Sequence, residues 1–340
     1  MAKTRDLYWD TMKLVLIFCV VYGHVVQPYR ADSQFNMTIF NFIYSFHMPL
    51  FVFISGRFSH FSDRDKYKKG ILRIVETLVV FHLIRCFLQL LSGNGIQLTM
   101  FTTPYFALWY LAALVYWRIL VLLVSDSQKK RPLKMIAIAV CISLAAPLIP
   151  ADFGMHFVIE RSMNFLPFFV LGYYSTSIDI KKFIAKINPQ FAIESLVILF
   201  FCLYVALQYY NVNTASVVHY SFSYWTECNT ISIVRVGIRC FYFPFTVISS
   251  LMVMRLVPVW SLVGKLGGVI SMFVYIYHMF FVDFLKFGAH HGLFPSDEGF
   301  LFVYTVISFI FLLGLSRLRV MVVLLNPISY LCSKYKKNSR

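Results

Sequence analysis

Long apolar blocks alternate with short polar segments along this 340-residue chain, and the polar segments carry most of its lysine and arginine. A helix needs about 20 mostly apolar residues to cross the hydrocarbon of a bilayer. Ten blocks are read as spans: 11–28, 38–56, 70–91, 104–124, 134–150, 161–179, 191–210, 233–255, 268–287 and 299–316. The block at 134–150 is the shortest. This pattern predicts an all-α, polytopic membrane protein of about ten transmembrane helices. No internal repeat and no inverted pair of broken helices interrupts it, which weighs against a transporter architecture.

Charge gives the orientation. One set of connecting segments holds Lys3 and Arg5; Arg57, Arg64, Lys66, Lys68 and Lys69; Lys129, Lys130, Arg131 and Lys134; Lys181, Lys182 and Lys186; Arg255 and Lys265; and the tail from Arg317 to Arg340. The opposite set holds little beyond Arg30, Arg161 and Lys286. Lysine and arginine concentrate on the cytoplasmic side of membrane proteins, so both termini are expected there. The expected organisation is a transmembrane domain over 1–316 and a basic cytoplasmic segment over 317–340. Within that segment, Val320 to Leu331 reads as an amphipathic or re-entrant stretch, and the basic end suits anionic lipid.

Composition supports the membrane class: 59% of residues are hydrophobic and 14% charged, against about a quarter charged in soluble domains. The net charge of +16 comes from loop clusters rather than from a surface that tracks phosphates, so nucleic acid is not an expected partner. The seven cysteines lack metal or disulfide spacing. The first block has no small-residue cleavage pattern at Val26-Gln27-Pro28-Tyr29 and reads as an uncleaved helix. The longest outer loop, 211–232, is polar and aromatic (His219, Tyr220, Tyr224, Trp225, Glu227). It reads equally as an acceptor-site wall and as an interfacial aromatic belt.

Ionisable side chains inside membrane helices are costly and need a partner or a purpose. The first helix carries Asp10, Lys13 and His24. At 100° per residue, Lys13 and His24 lie about 20° apart and Asp10 and His24 about 40° apart, so the three share a face; His24 sits about 16 Å beyond Lys13. A phosphate-bearing donor threading its reactive end inward suits that face. A helix-end Asp10–Lys13 ion pair with a hydrogen-bonded core histidine accounts for it too. His47 on the second helix, His82 and His278 fall at similar depth. No two share a helix at metal-ligand spacing and no acidic ligand accompanies them, so no metal is expected; a neutral imidazole there suits a general base. On the third helix Lys69 and Arg73 are i,i+4, as a diphosphate site needs and as ordinary cytoplasmic flanking also supplies.

At these residues the sequence resembles the acyltransferase-3 family of integral membrane O-acyltransferases, and within it the fucose 4-O-acetylase-like group. Arg5-Asp6-Leu7-Tyr8-Trp9-Asp10-Thr11-Met12-Lys13, followed by Gly23-His24, is similar to the family's first-helix signature. Phe46-His47-Met48-Pro49-Leu50-Phe51-Val52-Phe53-Ile54-Ser55-Gly56 is similar to its second, more specific one. Weaker matches follow at 107–111, at 165–173, at Gly264-Lys265-Leu266-Gly267 and at Tyr277-His278. The resemblance implies a ten-helix fold in the bacterial cytoplasmic membrane that takes an acyl group from cytoplasmic acyl-CoA to an acceptor hydroxyl outside. It implies that His24 is the essential histidine, that Lys13 stands where arginine is usual, and that Lys69 and Arg73 stand at a paired-arginine motif. Both departures keep charge and lose bidentate geometry. No esterase-like domain follows the tenth helix, so acceptor selectivity is expected in the membrane domain and outer loops.

The expectation drawn from residues and resemblance together is transfer of an acyl group, acetyl first, from acetyl-CoA to a hydroxyl of a lipid-linked or exported glycan. Lys13, Arg57, Lys69 and Arg73 hold the donor phosphates, His24 is the base or acyl carrier, Asp10 orients Lys13, and His47 positions His24 or polarises the thioester. The rival reading is a glycan-lipid flippase lined by Arg85, Arg118, Arg235, Arg239, Glu76 and Asp283; a non-catalytic envelope subunit is a third.

Overall fold

The computed structural model describes residues 6–91, 102–103, 106–124, 126–149, 156–209, 233–259, 269–291, 293, 295 and 297–338. The outer loop 211–232 and the stretch Gly264–Gly267 lie outside the described residues. Among the described residues the structure is helical, without strands. Its principal helices are α1 (Leu7–Val26), α2 (Gln34–Arg57), α3 (Arg64–Leu91), α4 (Trp109–Leu123), α5 (Pro132–Ala145), α6 (Ile159–Tyr174), α7 (Pro189–Tyr209), α8 (Ile233–Leu256), α9 (Val269–His290) and α10 (Glu298–Leu315). Seven are long and apolar enough to cross a membrane: those within Leu7–Tyr29, Gln34–Arg57, Arg64–Leu91, Pro189–Gln208, Arg235–Leu256, Ile270–Ala289 and Glu298–Leu315. α4 and α5 are apolar but shorter.

Helix starts are set by side-chain caps as much as by hydropathy. Asp6, Ser33 and Asp63 each accept a backbone N–H from the first turn of α1, α2 and α3. The Asp63 cap carries α3 back to Arg64, six residues ahead of its apolar block. The backbone N–H groups of Lys66 and Asp65 beside Asp63 hold its carboxyl below the usual carboxylate range.

The tightest packing joins α2 to α6. A Cβ on Gly56 would overlap the Phe169 carbonyl, and a Cβ on Gly172 would overlap that of Phe53. The two helices therefore meet main chain to main chain, as small residues permit in membrane bundles. Outward faces are apolar. Phe191, Val197, Ile198 and Phe201 of α7 and Ile307, Ile310 and Phe311 of α10 are exposed, which fits a protein whose solvent is lipid.

Basic and acidic groups at one end of the bundle tie its helices together. Arg57 donates to the carbonyl and hydroxyl of Ser175, Arg255 donates to the Ile187 carbonyl at 2.6 Å, and Lys181 pairs with Asp6. Past α10, the short helices Arg319–Val323 and Pro327–Asn338 return against α3 and α9. Glu76 accepts from the backbone of Ile328 and Ser329, Thr77 donates to the Leu325 carbonyl, and Tyr277 donates to that of Met321.

Candidate active site

His24 lies in the last turn of α1, half-buried, away from the basic end. Its Nδ1 is 3.1 Å from Gln27 Oε1 and 3.4 Å from the Tyr44 hydroxyl. An amide oxygen only accepts, so Nδ1 carries the proton and Nε2 keeps its lone pair. Tyr44 comes this close because the residue before His24 is glycine: a Cβ on Gly23 would stand 2.9 Å from the Tyr44 ring.

Two further histidines join through rings. The fully buried His278 of α9 stacks on His24 with centroids 5.2 Å apart. His47 of α2, 1% exposed, meets the Tyr44 ring edge-on at 4.5 Å. His47 and His278 each donate Nδ1–H to the carbonyl four residues earlier, at 2.7 Å and 3.1 Å. Backbone bonds of this kind fix their tautomers, and among the described residues Nε2 of His278 has no hydrogen-bond partner. The cluster thus presents imidazole lone pairs in an aromatic cage. Among the described residues no three His, Cys, Asp or Glu side chains group as metal ligands.

From His278 a polar seam continues toward the basic end. Tyr275 lies 6.0 Å from His278 and 5.4 Å from Tyr110, centroid to centroid. Tyr275 also donates to the Ala107 carbonyl, and Tyr110 shares a short hydrogen bond with Ser55. Arg118 of α4 stands over the Tyr67 ring at 5.7 Å, its guanidinium against Gly70, and its buried Nε has no hydrogen-bond partner among the described residues.

The cations named from sequence are distributed differently. Lys13 is ion-paired with Asp10 at 3.6 Å and covers the Phe58 ring at 4.2 Å. Asp10 and Lys13 form the helix-end pair that their spacing allowed, and Asp10 lies about 21 Å of helix rise from His24. Arg57 spends two bonds on Ser175 and lies over the Trp9 ring at 4.8 Å. Lys69 and Arg73 share an exposed face of α3; the face that packs carries Tyr67, Ile71 and Ile74. No hydrogen bond or ion pair engages Lys69 or Arg73 among the described residues, so they fit a phosphate-bearing ligand. They are not gathered around Lys13. The face of α1 between Lys13 and His24 is filled by Ile17 and Val20, 0% and 1% exposed. The polar connection through the bundle runs instead along Ser55, Tyr110 and Tyr275.

Sequence reasoning left Gln27, Tyr44 and the pairing of His278 with His24 unassigned. The signals were present in part. Gln27 is i+3 from His24, and Tyr44 is i−3 from His47 and so faces the same side of α2.

A lone pair on a half-buried imidazole, its tautomer locked and its cage built from three helices, is equipment for acid–base chemistry inside a membrane domain. The particular chemistry comes from comparison. The chain belongs to the acyltransferase-3 family, whose model, described as an acyltransferase domain, matches residues 6–319. Two nodulation proteins NolL are similar over short stretches. That of Sinorhizobium fredii is 47% identical over 58 residues, 16% of this chain and 16% of the relative. That of Mesorhizobium japonicum is 43% identical over 61 residues, 17% of this chain and 16% of the relative. These matches cover well under two thirds of either relative. No solved structure matches. The family match and the apolar helices agree: a chain of the acyltransferase-3 family carries helices long and apolar enough to cross a membrane.

Proposed function

We propose that the chain transfers an acyl group, acetyl first, from cytoplasmic acetyl-CoA to a hydroxyl of a cell-surface or lipid-linked glycan. The observation that carries this is His24, whose Nδ1 contact to the Gln27 side-chain oxygen favours the tautomer with its lone pair on Nε2, in a cluster with Tyr44 and His278. Ten spans with both termini in the cytoplasm of a bacterial inner membrane put the basic end of the bundle on the side where acyl-CoA is made. His24 then lies toward the outer face. Residues 1–316 form the transferase domain and 317–340 the basic cytoplasmic segment.

In this reading Nε2 of His24 takes the proton of the acceptor hydroxyl as its oxygen attacks the thioester carbonyl. The tetrahedral intermediate collapses, the C–S bond breaks, and the departing CoA thiolate recovers the proton from the imidazolium. General-base assistance of this kind contributes about 10²–10⁴-fold. Gln27 orients the ring, as do Tyr44 and His278 by contact. His47 acts through Tyr44. Lys69 and Arg73 capture the CoA phosphates at the surface, and Lys13, oriented by Asp10, joins them with Arg57 once the donor is seated.

The flippase reading drew on charges in the bundle, several of which have structural employment. Arg85 pairs with Asp283 at 2.6 Å, Arg239 donates to Ser143 and Asn164, and Glu76 caps the helix from Pro327. The deciding experiment is mass spectrometry of surface glycans from strains carrying the wild-type chain, the deletion and His24→Ala. Loss of the acetyl increment in the deletion and in His24→Ala, at normal protein level, is the expected result. Full acetylation with His24→Ala would refute the histidine's role.

A further inference from the structure

Arg161 stands in the first turn of α6, at the end of the bundle opposite the basic clusters. It is half-buried. Its guanidinium lies 5.5 Å from the centroid of Trp109, and no hydrogen bond or ion pair engages it among the described residues. The neighbouring Glu160 does not take up its donors. That carboxylate is directed at Asn164, 3.5 Å away, whose Oδ1 accepts from Arg239 at 2.9 Å. Among the described residues no hydrogen bond takes up the five N–H donors of the planar fork of Arg161, and Glu160 acts on it through charge alone; a cation so placed in a membrane domain calls for a further partner.

Ring contacts lead from there to the candidate site: Trp109 lies 6.2 Å from Tyr110, and Tyr110 lies 5.4 Å from Tyr275, centroid to centroid. Arg161 acts electrostatically on both Tyr44 and Tyr275, the two phenols that flank His24 and His278. A second cation reaches Tyr44 from the same end: Arg30, which donates to the Gln27 carbonyl at 3.0 Å and lies over Phe40. Arg30 is thereby anchored, whereas Arg161 is the cation with its fork free. Among the described residues Asp32 acts on Tyr29, Glu298 acts on Tyr22 and is bonded by Ser33, and Glu160 is the carboxylate that acts on Arg161.

We infer that Arg161 binds an anionic group of the acceptor, a carboxylate or phosphate carried next to the hydroxyl that His24 addresses, so that the preferred acceptor is an acidic rather than a neutral sugar. The planar fork matches either oxyanion bidentately. This rests on the acyl-transfer reading for the hydroxyl's fate, but the binding site stands on its own observations. The carboxylate of a uronic acid and the diphosphate of a prenyl-linked sugar are the two sources of that chemistry.

The test is equilibrium binding, without acyl donor, to the full chain in lipid nanodiscs. The probes are methyl glucuronide, methyl glucoside and a short-chain prenyl-diphosphate glucose. At least one charged probe is expected to bind about tenfold or more tighter than the glucoside, and which one does so names the source. Arg161→Gln should reduce the charged probe to the glucoside's affinity, while Arg161→Lys retains part of the preference. Equal binding of all three probes to the wild-type chain overturns the inference without need of any variant, as does a preference that survives in folded R161Q. Acetyl-CoA is then added. A charged probe that binds through Arg161 but is never acetylated sinks the acyl-transfer reading alone; acetylation that ignores charge sinks this inference alone.

Discussion

The two regions proposed to serve function, the histidine cluster and the basic face of α3, are built on opposite plans. Around His24, three helices bring rings into contact within a few ångströms, and a hydrogen bond fixes which nitrogen is basic. At Lys69 and Arg73, two cations stand on an exposed face, with no ion pair to hold them among the described residues. The first arrangement is costly to assemble and specific in geometry, as proton transfer demands. The second is tolerant, because capturing a flexible polyanion needs charge more than position. Damage to the histidine cage should therefore lower kcat, and damage to the basic rim should raise KM for the donor.

The largest effect short of removing His24 is expected at Gly23→Val. Its branched side chain pushes into the Tyr44 ring, which a Cβ alone would already approach to 2.9 Å, and kcat should fall about 100-fold. Steady-state acetyl transfer with wild-type KM for the donor would be the signature; an unchanged kcat would mean Tyr44 is a bystander. Next comes Gln27→Leu, which leaves both His24 tautomers available. It should cost about tenfold in kcat, whereas Gln27→Glu, which retains the acceptor at Nδ1, should recover most of it.

Smaller still, Lys69→Gln and Arg73→Gln should each raise KM for acetyl-CoA by about two- to fivefold with kcat intact. That effect should fade as salt is added, since exposed charges are screened. A kcat loss at either position would mean that the rim is part of the chemistry. The smallest effect is expected at the Asp63 cap of α3, where the carboxyl is held low by the N–H groups of Lys66 and Asp65. A depressed value means that the stabilisation is complete above the ordinary aspartate range and is lost as pH falls through the lowered one. Thermal unfolding of Asp63→Asn should accordingly differ from wild type at neutral pH and converge with it in acid.

The membrane class and the approximate helix positions were legible in the sequence because lipid admits few other solutions for an apolar backbone, whereas caps such as Asp63 moved the helix starts. The common face of Asp10, Lys13 and His24 was legible from helical geometry. Two things were not. Spacing on α3 showed that Lys69 and Arg73 share a face but not which one, although Tyr67, Ile71 and Ile74 mark the packed side and turn that face outward. The stacking of His24 on His278 joins positions far apart in the chain, and no periodicity within α1 or α9 states which helix packs on which. The expected corridor along α1 failed for a reason visible in the residues themselves. Ile17 and Val20 lie one turn in from Lys13 and His24 on the same face, and both are sealed in the core.

The contact of α2 with α6 bears on how a bulky donor gets in. Two helices that touch through their carbonyls at Gly56 and Gly172 have no side-chain layer to deform, so they can neither slide nor part in small steps. They are a fixed post. If acyl-CoA is the donor, as proposed, its pantetheine arm would be admitted by the other helices around His24, α1 and α9, moving against that post.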